Sequence, residues 1–164
     1  MINLFFAYSH QDEMLRNELD KHLSILRRNG IINAWHDRCI MPGSEFDKEI
    51  SKNLRTADII LLLISADFLA SDYCYDNETK YALERNERNE AIVIPVILRP
   101  CDWKDTQFGK LQVIPAKGKP VVKFLTLDDA FLELTDQIKK VVAEIRTEGG
   151  RVGKEWRCRW AQEH

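Results

Sequence analysis

Cysteines are few and scattered: Cys39, Cys74, Cys101 and Cys158, with no CxxC pair. That spacing argues against a disulfide framework or a zinc site and fits reduced thiols in the cytoplasm. No apolar run approaches the roughly 18 residues of a membrane span. The opening "MINLFFAYSHQDE" has no basic leader, and its apolar run is too short for a signal peptide. Positive charge is not in excess, with 24 Lys and Arg against 26 Asp and Glu. A net charge of -2 gives no electrostatic reason to expect nucleic acid. GxGxxG and GxxxxGK[ST] are both absent, so a Rossmann or P-loop nucleotide site has no support. The four histidines, His10, His22, His36 and His164, lack metal-ligand spacing, and no metal is expected. Ser9, His36 and Asp37 can be written as a hydrolase triad, but no GxSxG elbow supports one. There is no internal repeat and no low-complexity stretch.

What remains is the pattern of an ordinary globular domain. A chain of 164 residues favours one domain and buries roughly two-thirds of its unfolded surface. Ile2 to Tyr8 is apolar and rich in β-formers, and "SHQD" ends it. Leu15, Leu19, Leu23 and Leu26 then form one helical stripe, which Asn29-Gly30 stops. "IINAWHD" predicts a short second strand, and "RCIMPGSEF" a loop around Pro42-Gly43. A helix is predicted from about Ser44 to Leu54.

"DIILLLIS" is apolar without interruption, as in a strand covered on both faces of a parallel sheet. Residues 66 to 88 read as mainly helical, with a break near Ser71. "AIVIPVIL" is another buried strand, and its Pro95 predicts a bulge or strand end, because proline cannot donate to the ladder. A long loop with a short helix leads to "VVKFL", a predicted fifth strand. Thr126 can cap the last helix, whose face carries Leu127, Phe131, Leu134, Ile138, Val142 and Ile145. Gly149-Gly150 ends it, so the domain is expected to span residues 1–147. Residues 148–164 form a basic tail with two tryptophans, expected to be poorly ordered.

Five strands alternating with helices predict a parallel sheet with helices on both faces. Ligands of such sheets sit at the carboxyl ends of the strands. The loops after Tyr8, Trp35, Ser65 and Leu98 therefore make the candidate rim, and Glu78 follows the third of them.

Four segments, in order, resemble the TIR (Toll/interleukin-1 receptor/resistance) domains, especially the stand-alone bacterial type. "FFAYSHQDE" is similar to that family's first strand and serine-containing loop. "WHDRCIMPGSEF" resembles its second strand and BB loop. "ADIILLLISADFLASDYC" resembles the third strand and the run into the next helix, and "AIVIPVILRPCDW" the fourth strand and its loop. The resemblance covers about residues 1 to 147. It implies a flavodoxin-like, five-stranded parallel sheet in the order 2-1-3-4-5. Many members cleave NAD+ between nicotinamide and ribose, some bacterial members cyclise the ADP-ribose, and others act only as adaptors. NAD+ would then be a substrate, with no separate cofactor, and the setting cytoplasmic, in antiphage defence or virulence.

On this resemblance Glu78 is the catalytic carboxylate, with Asp76 as the runner-up. A glutamate on a helix is otherwise a solvated charge. The implied substrate contacts are Phe6, Tyr8, Ser9, Trp35, Asp37, Arg38, Tyr73 and Cys74. Each also has a plainer reading: Phe6, Tyr8 and Trp35 as core, Ser9 as a helix cap, and Asp37 with Arg38 as a surface pair. Cys74 stands where many active members carry an aromatic residue, four positions before the glutamate, which leaves Tyr8 or Tyr73 to stack on a ring. Ile40, Met41, Pro42 and Gly43 form the tip of the BB loop, which in the family meets a neighbouring TIR domain. A non-catalytic interaction module is the alternative, and an unrelated small-ligand binder a weaker one.

Overall fold

The computed structural model describes residues 2–36, 47–71, 79–115 and 118–147, with the backbone alone at residues 35, 36 and 47–51. β1 (Ile2–Ala7) lies inside a parallel sheet, between β2 (Ile32–His36) and β3 (Ile59–Ile64). β4 (Ile92–Ile97) pairs with β3 on its far side, giving the order β2-β1-β3-β4. The helices are α1 (Glu13–His22), α2 (Ser24–Arg28), α3 (Asp47–Thr56), α4 (Ala66–Ala70), α5 (Lys80–Glu87) and α6 (Leu127–Thr147). Among the described residues no helix is long and apolar enough to cross a membrane.

Successive side chains of a strand point to opposite faces, and β1 supplies both layers of core. Leu4, Phe6 and Tyr8 pack with Leu19 and Leu23 and with Phe131, Leu134 and Ile138 of α6. Phe5 and Ala7 turn to the other face, with Leu54 of α3, Phe68 of α4, Ala82 of α5 and Phe108. All six residues of β3 are buried, as its unbroken apolar run requires.

Two strand expectations are corrected. The segment predicted as a fifth strand is a 3-10 turn at Val121–Lys123, so the described sheet has four strands rather than the five of a 2-1-3-4-5 order. Among the described residues one isolated bridge reaches the outer edge of β4, at Ile114. The Ile114 N–H donates to the Pro95 carbonyl and the Ile97 N–H to the Ile114 carbonyl, each at 2.9 Å. Val121 is buried while Val122 and Lys123 are exposed, so the segment anchors one side chain instead of presenting a strand face.

The second correction concerns Pro95, where no bulge forms. The register runs on through Leu61↔Ile94, Leu62↔Pro95 and Leu63↔Val96. In a strand the N–H and C=O of one residue point the same way. The Pro95 carbonyl faces Ile114, on the outer edge, so the missing N–H costs no bond to β3.

The first helical stripe also breaks at Leu23 into α1 and α2, and Gly30 then turns the chain at φ 68°. The last helix begins as expected, with the Thr126 hydroxyl accepting from the Asp129 N–H at 3.0 Å. Thr126→Ala should therefore lower stability by about 1 kcal/mol, read as a drop of about 3 °C in melting temperature.

Candidate functional site at the carboxyl rim

The ends of β1, β3 and β4 converge at one rim, where the structure joins four polar side chains. Beyond β1, Ser9 is extended and its hydroxyl accepts from the Gln11 N–H at 3.3 Å. The Asp12 N–H donates to the Ser9 carbonyl at 2.8 Å, closing the 3-10 turn His10–Asp12. Ser9 thus acts as a cap, and its residue is 7% exposed.

Asp12 carries the link between loops. Its carboxylate accepts from the Ser65 hydroxyl, just beyond β3, and from Arg99 Nε at 3.1 Å and Nη2 at 2.8 Å. Ser65 is fully buried and its Oγ also accepts from the Phe68 N–H at 3.2 Å, capping α4. Arg99 Nη2 reaches Asp67 as well, in the first turn of α4. The Asp67 hydrogen bond holds the Arg99 guanidinium above its usual basicity against the cost of burial, and Asp12 adds to it. Since an arginine is already charged at any ordinary pH, this strengthens a clamp and creates no switch.

Cys101 lies nearby, half-buried. Burial pushes its thiol up, the Arg99 charge pulls it down, and Asp102 and Asp12 raise it further. A thiol so placed stays protonated at neutral pH and is a poor nucleophile.

Phe6 and Tyr8 belong to the core between the sheet and α1 with α6. The buried guanidinium of Arg16 stands over the Tyr8 ring, its carbon 5.3 Å from the centroid. Trp35 pairs with Phe5 in the β2–β1 register. Asp37, Arg38, Ile40, Met41, Pro42, Gly43, Tyr73, Cys74, Asp76 and Glu78 lie outside the described residues, as does the tail at 148–164. α4 ends before Ser71 and α5 starts at Lys80, so these two helices bracket the Glu78 segment. Thr79, next to Glu78, is fully buried. No group of three or more His, Cys, Asp or Glu among the described residues could hold a metal ion.

Asp12, Ser65, Asp67 and Arg99 were not expected from the sequence as a group. A signal existed: Ser65, Asp67 and Arg99 each stand within three residues of the end of a buried strand, where a polar side chain faces the rim.

A family model described as "TIR domain" matches residues 4–130. A curated relative, "Uncharacterized protein y4lF" of Sinorhizobium fredii (strain NBRC 101917 / NGR234), is 49% identical over 145 residues, which is 88% of this chain. The chain spans less than half of that relative, 45% of its length. Among solved structures, the TIR domain of the Toll-related Receptor TRR-2 from Hydra magnipapillata is 22% identical, with a TM-score of 0.45 over 60% of this chain and 72% of that one.

Proposed function

From the premise that this chain belongs to the TIR domain family, we propose that it cleaves NAD+ at the nicotinamide–ribose bond, with Glu78 as the catalytic carboxylate. The observation that carries the reading is the family match over residues 4–130, which takes in both the rim and Glu78. As the bond from the ribose anomeric carbon to the nicotinamide nitrogen breaks, its electron pair leaves with nicotinamide. That leaving group becomes neutral and needs no proton. The ribose gains oxocarbenium character, which an ionised carboxylate beside it stabilises. Water then adds to the anomeric carbon and releases a proton, giving ADP-ribose. A closed site that excludes water and folds the adenosine back would give a cyclic isomer instead.

In this reading the Ser9 turn holds phosphate or ribose through its hydroxyl and backbone, and Asp37 and Arg38 contribute from the BB loop. The burial of Tyr8 in the core favours Tyr73 as the aromatic that stacks on a ring. Ile40 to Gly43 meets the site of a neighbouring copy, so assembly completes the enzyme. Nicotinamide release per molecule should then rise steeply with protein concentration. A rate per molecule that stays flat on dilution would remove the assembly requirement.

The test of the whole reading is nicotinamide release from NAD+ at high protein concentration, with Glu78→Ala and Glu78→Gln beside the wild type. Release that both variants lose supports the enzyme. Undiminished release from Glu78→Ala means another residue carries the reaction. Absence of release with self-association retained would leave the non-catalytic TIR module as the function.

A further inference from the structure

We infer that Arg99 is a positioning residue: it ties Asp12 to Asp67, fixes the Ser9 turn against α4, and thereby sets how tightly the rim grips the phosphate or ribose part of a nucleotide. The substrate half of this inference rests on the NAD+ reading, while the positioning half stands on the geometry alone.

The two carboxylates that share Arg99 differ in their access to water. The side chain of Asp67 is 44% exposed and can be hydrated without its partner. That of Asp12 is 1% exposed, and its charge is met by the Ser65 hydroxyl and the Arg99 guanidinium. A buried carboxylate that loses its cation pays a large desolvation cost. The cheapest relief is for the turn bearing it to move outward into water. Ser9 moves with that turn, because its carbonyl is held by the Asp12 N–H and its hydroxyl by the Gln11 N–H.

Asp67 has the complementary part. The Arg99 side chain is 37% exposed and has water within reach. Asp67, anchored on α4, holds the guanidinium over Asp12. The fork geometry matters as well: Nε and Nη2 both engage Asp12 while Nη2 also reaches Asp67. A lysine ammonium, a single point charge, cannot reproduce that span.

The experiment uses the full chain as wild type, Arg99→Met, Arg99→Lys, Asp67→Asn and the Arg99→Met/Asp67→Asn double variant. Amide hydrogen exchange is followed at Gln11 and Asp12, with the β3 amides as internal reference, and steady-state NAD+ cleavage is measured alongside. Arg99→Met should speed exchange at Gln11 and Asp12 by about tenfold or more, leaving β3 unchanged. Arg99→Lys should recover part of that protection. Asp67→Asn should act in the same direction alone and add little in the Arg99→Met background, because its effect passes through Arg99. KM for NAD+ should rise about tenfold with kcat little changed, the mark of lost binding to a non-reacting part of the substrate. Unchanged exchange at Gln11 and Asp12, or an equal rise across β3, would overturn the positioning role. So would an Asp67→Asn effect that persists undiminished in Arg99→Met. A lower kcat at constant KM would overturn the grip on substrate. A wild type that releases no nicotinamide would end the NAD+ reading and the substrate half with it, and the exchange data would still decide the positioning half.

Discussion

Glu78→Gln should reduce nicotinamide release by about two to three orders of magnitude, the scale of losing one preorganised electrostatic contact to a transition state. The amide keeps the shape of the side chain and removes only its charge. The charge has its value when the ribose becomes cationic, so the loss should fall on kcat and leave KM near the wild-type value. Melting temperature should hold, because stability does not depend on a charge kept for the reaction. Asp76→Asn is the matched control. One residue is about 100° around a helix, so on a helical segment the two acids face differently and cannot share the task equally. Should Asp76→Asn fail where Glu78→Gln survives, the roles are exchanged. Should neither matter, no carboxylate in this stretch is catalytic.

Arg85→Met should cost about 3 kcal/mol of stability, or about 9 °C in melting temperature, with no direct part in chemistry. Arg85 is buried on α5, and its Nη1 donates to the carbonyls of Leu54 at 2.6 Å and Ala57 at 2.8 Å. Its Nη2 donates to the Glu90 carbonyl at 3.1 Å, and its Nε lies 3.5 Å from the Glu90 carboxylate. Leu54 is in the last turn of α3 and Ala57 just follows it, where carbonyls have no partner within the helix and the dipole favours a cation. Methionine fills much of the same volume but donates nothing, so the buried carbonyls lose their donor. Thermal melting checks this directly, and a Met variant within about 2 °C of wild type would mean that water replaces the guanidinium without loss. Arg85→Lys should fall between the two, since one ammonium cannot span all three carbonyls.

Local pattern carried some elements completely. The four- and three-residue steps of apolar side chains in α6, with Thr126 ahead of them, specify a helix and its start without reference to anything distant. The apolar run of β3 likewise demands cover on both faces. Reading failed where the outcome depended on neighbours. "VVKFL" has β-formers enough for a strand, but the edge of β4 was already bridged at Ile114, and the segment settled as a turn. Pro95 looked like an interruption and was harmless, because only the pairing shows which way its missing N–H would point. Of the proposed site, Ser9 was legible as the residue after the first strand, whereas its dependence on Arg99 was not.

By itself, then, the sequence determined the alternation of strands and helices, and with it a parallel sheet, since these properties follow from side chains a few positions apart. The tertiary structure decided which polar groups meet at the rim. Asp12 lies 53 residues from Ser65 and 87 from Arg99. No periodicity connects positions that far apart. They become partners only when hydrophobic burial aligns β1, β3 and β4, so that the buried carboxylate of Asp12 meets the Arg99 guanidinium.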